Sequence, residues 1–161
     1  MLTSNELKQS SFFVGLTDTE LEKLSAIAEE KTFEAGTQMY KIGDTAAHLH
    51  VLKEGKVILT MDSYMGPHKP PLQVTLDIIT KDDSMGWSAV VEPYIYTLGA
   101  LCIDRATVIM LDAVKLRELM ESDCTLGYKI MKQVAKMIAN RLSHTRIILV
   151  GERGLSHLTE Y

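Results

Sequence analysis

The feature that most constrains this 161-residue chain is a change of hydrophobic period near Asp112. Upstream, apolar residues come in short alternating runs cut by Gly36, Gly43, Gly55, Gly66 and Gly86. Short alternating runs bounded by glycine read as strands. Downstream the spacing is three and four. Val114, Leu116, Leu119 and Met120 predict a short helix ending near Ser122, and a longer helix follows from about Thr125 to Val150. That helix is roughly 26 residues, or about 39 Å, longer than a small β-barrel is wide. Its stripe of Met131, Val134, Ile138, Leu142, Thr145 and Leu149, widened by Leu126, Ile130, Met137 and Ile148, runs to the helix end. The far half therefore needs something to pack on, and a second copy of the chain is the expected partner.

Two helices are expected ahead of the strands. Thr17-Asp18-Thr19-Glu20 is a capping-box pattern, after which Leu21, Leu24, Ile27 and Ala28 recur at helical spacing. A shorter helix is expected at about 5–11. Strands are expected at 33–36, 38–40, 48–53, 56–61, 74–80, 97–103 and 105–111. Gly66 to Pro71 reads as a hairpin tip, because proline cannot donate to a central ladder. Asp104-Arg105 reads as a two-residue tip. The fold class is α+β: an antiparallel β-roll or jelly roll, cupin-like in architecture, with N-terminal helices and a long C-terminal helix. One domain is expected over 1–150 (roll 30–111, hinge and long helix 112–150), with a tail at 151–161.

Composition excludes some partners. A net charge of −4 disfavours a nonspecific grip on nucleic acid. No apolar run reaches the length of a membrane span, and none sits where a signal peptide would. With Cys102 and Cys124 alone there is no disulfide framework, so a cytoplasmic protein is expected. No nucleophile elbow or Walker motif is present, and no enzymatic activity is expected.

Five pieces in order resemble the cyclic-nucleotide-binding domain, the sensor half of catabolite-activator-type regulators. They are Phe33-x-x-Gly36, Gly43-Asp44, Leu49 to Val57, Gly86-x-x-Ala89, and Pro93-x-x-x-Thr97-x-x-Ala100. The resemblance implies a β-roll holding a short helix in a phosphate-binding cassette, then a hinge helix and a long dimerising helix. A helix-turn-helix is not expected in residues 151–161, so direct DNA binding is not expected either.

The resemblance also implies a ligand site at Gly86, Trp87, Ser88, Ala89, Tyr94, Tyr96 and Thr97. In nucleotide-binding members a glutamate takes the ribose hydroxyl and an arginine takes the phosphate. Here Trp87 and Tyr94 stand at those places. Each lost charge-assisted bond costs on the order of 1.5–3 kcal/mol, so cAMP and cGMP are expected to bind poorly, by roughly two to four decades. Trp87 either plugs the cavity or offers a stacking face. Tyr94 and Tyr96, two apart, would share one face of a strand. Ser88 and Thr97 keep hydroxyls suited to a weakly held anion. Arg141 and Arg146 are expected on the helix surface.

A second constellation, His48-x-His50-x-x-x-Glu54, resembles the metal motif of cupins, though a second histidine motif has no counterpart in Gly86 to Cys102. Three functions thus stay open. The first is a ligand-sensing regulatory module working through protein contacts with an unknown partner. The second is a metal-binding cupin-like protein using His48, His50 and Glu54. The third is a structural dimeric interaction protein.

Overall fold

A computed structural model of the protein describes residues 2–158, with side chains described through residue 152. The chain begins with α1 (Ser4–Leu7), a 3-10 turn (Ser11–Phe13) and α2 (Asp18–Ser25). Both helices start at a capping box, Thr3 with Glu6 and Thr17 with Glu20. The helix expected at 5–11 is thus split, because Ser10 caps a new turn at Ser11. Phe12, Phe13, Leu21 and Leu24 carry these elements into the core.

Eight strands follow: β1 (Ala28–Phe33), β2 (Gln38–Tyr40), β3 (His48–Glu54), β4 (Val57–Ser63), β5 (Leu72–Ile79), β6 (Ser84–Met85), β7 (Gly99–Cys102) and β8 (Ala106–Asp112). They form two antiparallel sheets, ordered β1-β8-β3-β6 and β2-β7-β4-β5. Apart from the β4–β5 hairpin, each connection leaves one sheet and enters the other. This makes a roll with Leu52, Leu59 and Val108 in its interior, while Leu49, Ile109 and Leu111 are buried on the other face of the β3–β8 pair.

Several expected boundaries moved. β1 starts at Ala28, inside the stretch read as the end of a helix. Its sequence AEEKTF has no apolar alternation, and pairing with β8 fixes it, from Ala28 opposite Leu111 to Phe33 opposite Ala106. The two-residue β6 was not expected; it exists because His50 and Val51 of β3 pair with Met85 and Ser84. Asp104-Arg105 is not a hairpin tip, since β7 and β8 lie in different sheets.

The corner at Asp104-Arg105 touches a second corner at Gly55, where the chain also changes sheets. Gly55 has φ +90°, and a Cβ there would strike the carbonyl oxygen of Arg105 and come within 2.7 Å of Ala106 Cα. Only glycine meets both demands.

After β8 the chain runs through α3 (Ala113–Ser122), capped by Asp112, into α4 (Cys124–Leu158). At 35 residues, α4 is about 52 Å long. It carries on through residues assigned from sequence to a tail. Leu126, Ile130, Val134 and Met137 are buried against the domain. The expected dimer stripe is therefore corrected at Val134, which is fully covered by its own domain. Met131, Ile138, Leu142 and Leu149 are all more than a third exposed, and Thr145 is exposed too. Ile147, Ile148 and Val150 are also exposed. Lys129 Nζ donates to both carboxylate oxygens of Glu20, at 2.9 and 2.8 Å, tying α4 to α2. Among the described residues no helix is long and apolar enough to cross a membrane.

The corner contact generates a stability prediction. Gly66 has φ +100° with open space around it. Gly55→Ala and Gly66→Ala share the cost of left-handed backbone, but only the first adds a collision. Gly55→Ala is expected to be about 1–3 kcal/mol less stable than Gly66→Ala by denaturant unfolding. Equal midpoints would show that the corners do not touch.

Candidate functional site

β6 leads directly into the loop that resembled a phosphate cassette. Gly86 takes a left-handed conformation at φ +81°. Its bare Cα lets the chain pass close to His48 O, His50 Nδ1 and Tyr96 Cε1, all of which a Cβ would approach within 3.0–3.2 Å. A 3-10 turn, Trp87–Ala89, follows, with Ser88 and Ala89 buried and Trp87 half-buried. The return half of the loop is not a strand. It is held to the 43–46 turn by backbone bonds: Ala46 N–H donates to Tyr94 O (2.8 Å), Tyr96 N–H to Asp44 O (2.9 Å) and Gly43 N–H to Tyr96 O (3.0 Å).

This irregular path corrects the expectation that Tyr94 and Tyr96 share a face. Tyr94 sits at φ +59°, which turns it outward, and its ring lies under the Arg117 guanidinium at 4.1 Å. Tyr96 goes inward and is buried.

Inside the roll, Tyr96 stacks on Tyr40 with ring centroids 3.8 Å apart, and His50 lies 5.3 Å from Tyr40. The Tyr96 hydroxyl donates to His48 O (2.8 Å) and accepts from His48 N–H (3.1 Å). Burial pushes the Tyr96 phenol up to about 12, and burial raises Tyr40 as well. His50 is fully enclosed, and its Nδ1 has no hydrogen-bond partner. Burial, with a smaller effect from His48, pulls its pKa down to about 3, so His50 is neutral.

The aromatic stack leaves little room. The space beside the cassette is a cavity of about 20 Å³, lined by Tyr40, Leu59, Gly86, Trp87, Ser88, Tyr96, Thr97, Leu98 and Arg141. That holds about one water molecule. A typical ligand pocket is about 300–1,000 Å³. Trp87 walls the cavity, but Tyr40, Tyr96 and His50 fill the interior. A larger cleft of about 290 Å³ adjoins it. Trp87, Thr97, Leu98 and Arg141 line both, and Met61, Leu76, Ile138 and Leu142 add apolar walls.

Arg141 is the residue sequence reasoning misplaced. It is mostly buried, with Nη2 donating to Ser84 O at 2.5 Å and Nε 3.3 Å from Asp77 Oδ2. Burial lowers its pKa, and Asp77 opposes that shift. The pocket therefore has a cation, supplied by the long helix rather than by the cassette. The signal was present. Leu126, Ile130, Val134 and Met137 step along the buried face, and the next step of four is Arg141.

Of the expected ligand residues, Gly86, Trp87, Ser88, Tyr96 and Thr97 come together around the cavity. Ala89 lies in the core and Tyr94 faces away. Thr97 is largely exposed. The metal trio does not assemble. The ring centroids of His48 and His50 are 5.9 Å apart, but Glu54 is exposed four residues along β3, about 13 Å of strand from His50. Among the described residues no three His, Cys, Asp or Glu side chains are grouped to hold a metal ion.

A model of the cyclic nucleotide-binding domain matches residues 30–123. The chain belongs to the cyclic nucleotide-binding domain family. A Geobacter metallireducens protein described as cyclic nucleotide-binding is 30% identical, with 88% of this chain and 99% of that one covered and a TM-score of 0.78. A cyclic nucleotide-binding domain from Methylobacillus flagellatus shares the fold at 14% identity, covering 89% and 78%, with a TM-score of 0.74. The regulatory domain of Toxoplasma gondii PKA, solved with cAMP, shares it at 17% identity, covering 87% and 48%, with a TM-score of 0.63. No curated protein matches the chain. Within the family frame, β1 to β8 are the roll and α4 is the C-terminal helix.

The state of His50 predicts a pH dependence. Above its ordinary value of 6.5 the imidazole is neutral whether folded or not, and folding costs nothing there. Below 6.5 the unfolded chain takes up a proton that the folded chain refuses until about pH 3. Stability therefore falls with pH, by about 1.4 kcal/mol per unit from this group alone. His50→Leu is expected to flatten the decline between pH 6 and 4 by about that slope in denaturant titrations. Parallel curves for the two proteins would show that His50 charges freely in the folded state.

Proposed function

We propose that this protein is a ligand-sensing regulatory module whose pocket does not take cAMP or cGMP tightly, and which acts through contacts with other proteins. One observation carries the reading: the filled interior leaves a cavity of about 20 Å³ beside a guanidinium already engaged by Asp77 and Ser84. A nucleotide would have to displace the Tyr40–Tyr96 stack and compete for Arg141. Neither the stacking nor the buried ion pair is lost cheaply. Any ligand that does bind gains most by presenting an anion to Arg141, with Ser88 lining the same cavity.

Calorimetry tests this directly. Dissociation constants above about 100 µM are expected for cAMP and cGMP. Micromolar binding that disappears in Arg141→Ala would mean that the pocket opens and this helix arginine grips phosphate, and the reading would be wrong.

The module works as a homodimer in this proposal. Beyond Met137 the long helix shows Ile138, Leu142 and Leu149 to solvent, along with Ile147 and Val150. Such a stripe, which continues past Leu142 and Thr145 at the edge of the domain's cleft, is the surface a second copy covers. Sedimentation velocity is expected to find a dimer at micromolar concentration, and Leu142→Glu with Leu149→Glu a monomer of unchanged helix content. A wild-type monomer at that concentration would remove the dimer from the reading.

The filled interior also favours a second reading, a purely structural dimer whose pocket never opens. Conserved dimerisation with no ligand-dependent change in thermal stability across small anions and nucleotides would select it.

A further inference from the structure

The outer face of the β2-β7-β4-β5 sheet has a dent at Gly99. Gly99 on β7 stands directly opposite Thr60 on β4. A Cβ at Gly99 would lie 2.9 Å from Thr60 Oγ1, 3.2 Å from Gln38 Nε2 and 3.5 Å from Tyr40 O. Without that Cβ the sheet has a groove of about 310 Å³, floored by Gly99 and Thr60 and walled by Gln38, Lys41, Asp62 and Gln73. This is the small end of the range for ligand pockets, about 300–1,000 Å³. The groove is separate from the cavity beside Trp87. Leu59 lines that cavity and Thr60, the next residue, lines the groove, as successive strand residues face opposite ways. The two spaces share no residue.

Thr60 is the sign that this groove takes a ligand. The residue is only 2% exposed, yet its hydroxyl has no hydrogen-bond partner among the described residues. The neighbouring Gln38 amide spends both its hydrogens elsewhere, on Tyr40 O (2.8 Å) and Ala100 O (3.0 Å). Among the described residues His50 Nδ1 is the one side-chain polar atom both unpartnered and fully enclosed. The Thr60 hydroxyl therefore opens onto the groove it lines. A buried hydroxyl without a partner is costly, and a polar group on the groove floor would satisfy it.

The rim carries one charge of each sign. Lys41 and Asp62 are exposed, and among the described residues neither is in an ion pair. Asp62 is two residues from Thr60 and opposite Gln73, so it shares the face of the groove. With its N–H groups spent, Gln38 has Oε1 left to offer. The groove thus presents three kinds of oxygen acceptor (amide, hydroxyl and carboxylate) beside a single ammonium. A primary ammonium has three N–H donors. A phosphate would meet Asp62, and a nucleobase would find no aromatic ring to stack on.

We propose that this groove is a second ligand site, built for a free α-amino acid whose ammonium goes to Asp62, Thr60 and Gln38 and whose carboxylate goes to Lys41. Ile42 also lines the groove and gives the amino-acid side chain an apolar neighbour. The assignment is independent of what the cavity beside Trp87 accepts.

Heteronuclear NMR on the full chain tests it, with L-serine and L-leucine as probes. At least one is expected to shift amides at 38–42, 60–62, 73 and 99, with half-saturation at about 1–10 mM, and to leave 86–97 unmoved. Removing either ligand charge is expected to weaken binding about five- to tenfold. The probes for that are ethanolamine and 3-hydroxypropanoate for serine, and 3-methylbutylamine and 4-methylpentanoate for leucine. Lys41→Ala and Asp62→Asn, at exposed positions, are each expected to cost about the same factor with melting temperature unchanged. Thr60→Val keeps the shape and removes the hydroxyl, so a several-fold loss of binding without loss of stability is expected. If that variant does not fold, the Lys41 and Asp62 variants carry the test. Absence of groove shifts with either amino acid up to about 20 mM would overturn the proposal. So would equal binding of an amino acid and its one-charge analogues, which would mark simple ion pairing at an exposed side chain, or binding that survives intact in both Lys41→Ala and Asp62→Asn.

Discussion

The guanidinium of Arg141 constrains the rest of this molecule more than any apolar contact does. A cation taken out of water must find anionic or carbonyl partners in fixed places. Arg141 finds Asp77 on β5 and the Ser84 carbonyl on β6. The apolar side chains of α4 are not directional, so alone they would let the helix slide along the roll. The arginine fixes its register. Because Ser84 is two residues before Gly86, the same guanidinium fixes where the cassette begins. Helix, sheet edge and cassette are thus referenced to one group, with Glu20 and Lys129 anchoring the other end of the helix.

That geometry explains how a domain of this family can have a cassette without a basic residue and still present positive charge to its pocket. The charge comes from α4, so whatever engages Arg141 touches the long helix directly. The interior is otherwise closed by an aromatic stack. Tyr96 is held at its hydroxyl by both backbone groups of His48 and at its ring by Tyr40. Gly86 lets the chain approach this stack closely, and His50 Nδ1 pays the cost of a polar atom enclosed without a partner.

Much of this was legible in the chain. The capping boxes, the glycine turns and the switch of period at Asp112 carried the fold class, and Gly86, Ser88 and Thr97 line one cavity. What failed did so for physical reasons. β1 has no alternation because it borrows its conformation from β8. Tyr94 and Tyr96 were assigned to one face because a period of two assumes a strand, and a residue at φ +59° breaks that period. Val134 read as part of the outer stripe because spacing shows which residues share a helix face but not which neighbour covers it. Arg141 was taken for a surface residue because charge usually means solvent. Its position on the buried spacing outweighed its type, since Asp77, sixty-four positions away, was there to meet it.

The pairing of β1 with β8 has a consequence for synthesis. Ala28 lies opposite Leu111, and β8 is also the only neighbour that joins β1 to β3. At ribosomal rates of about 5–20 residues per second, roughly four to sixteen seconds separate the emergence of the two partners. Over that interval β1 has no partner strand, and β3 has at most the two residues of β6. The nascent chain must therefore carry half a roll uncovered until its eighth strand arrives, and the N-terminal helices, already capped by local side chains, are the first structure available to shelter it.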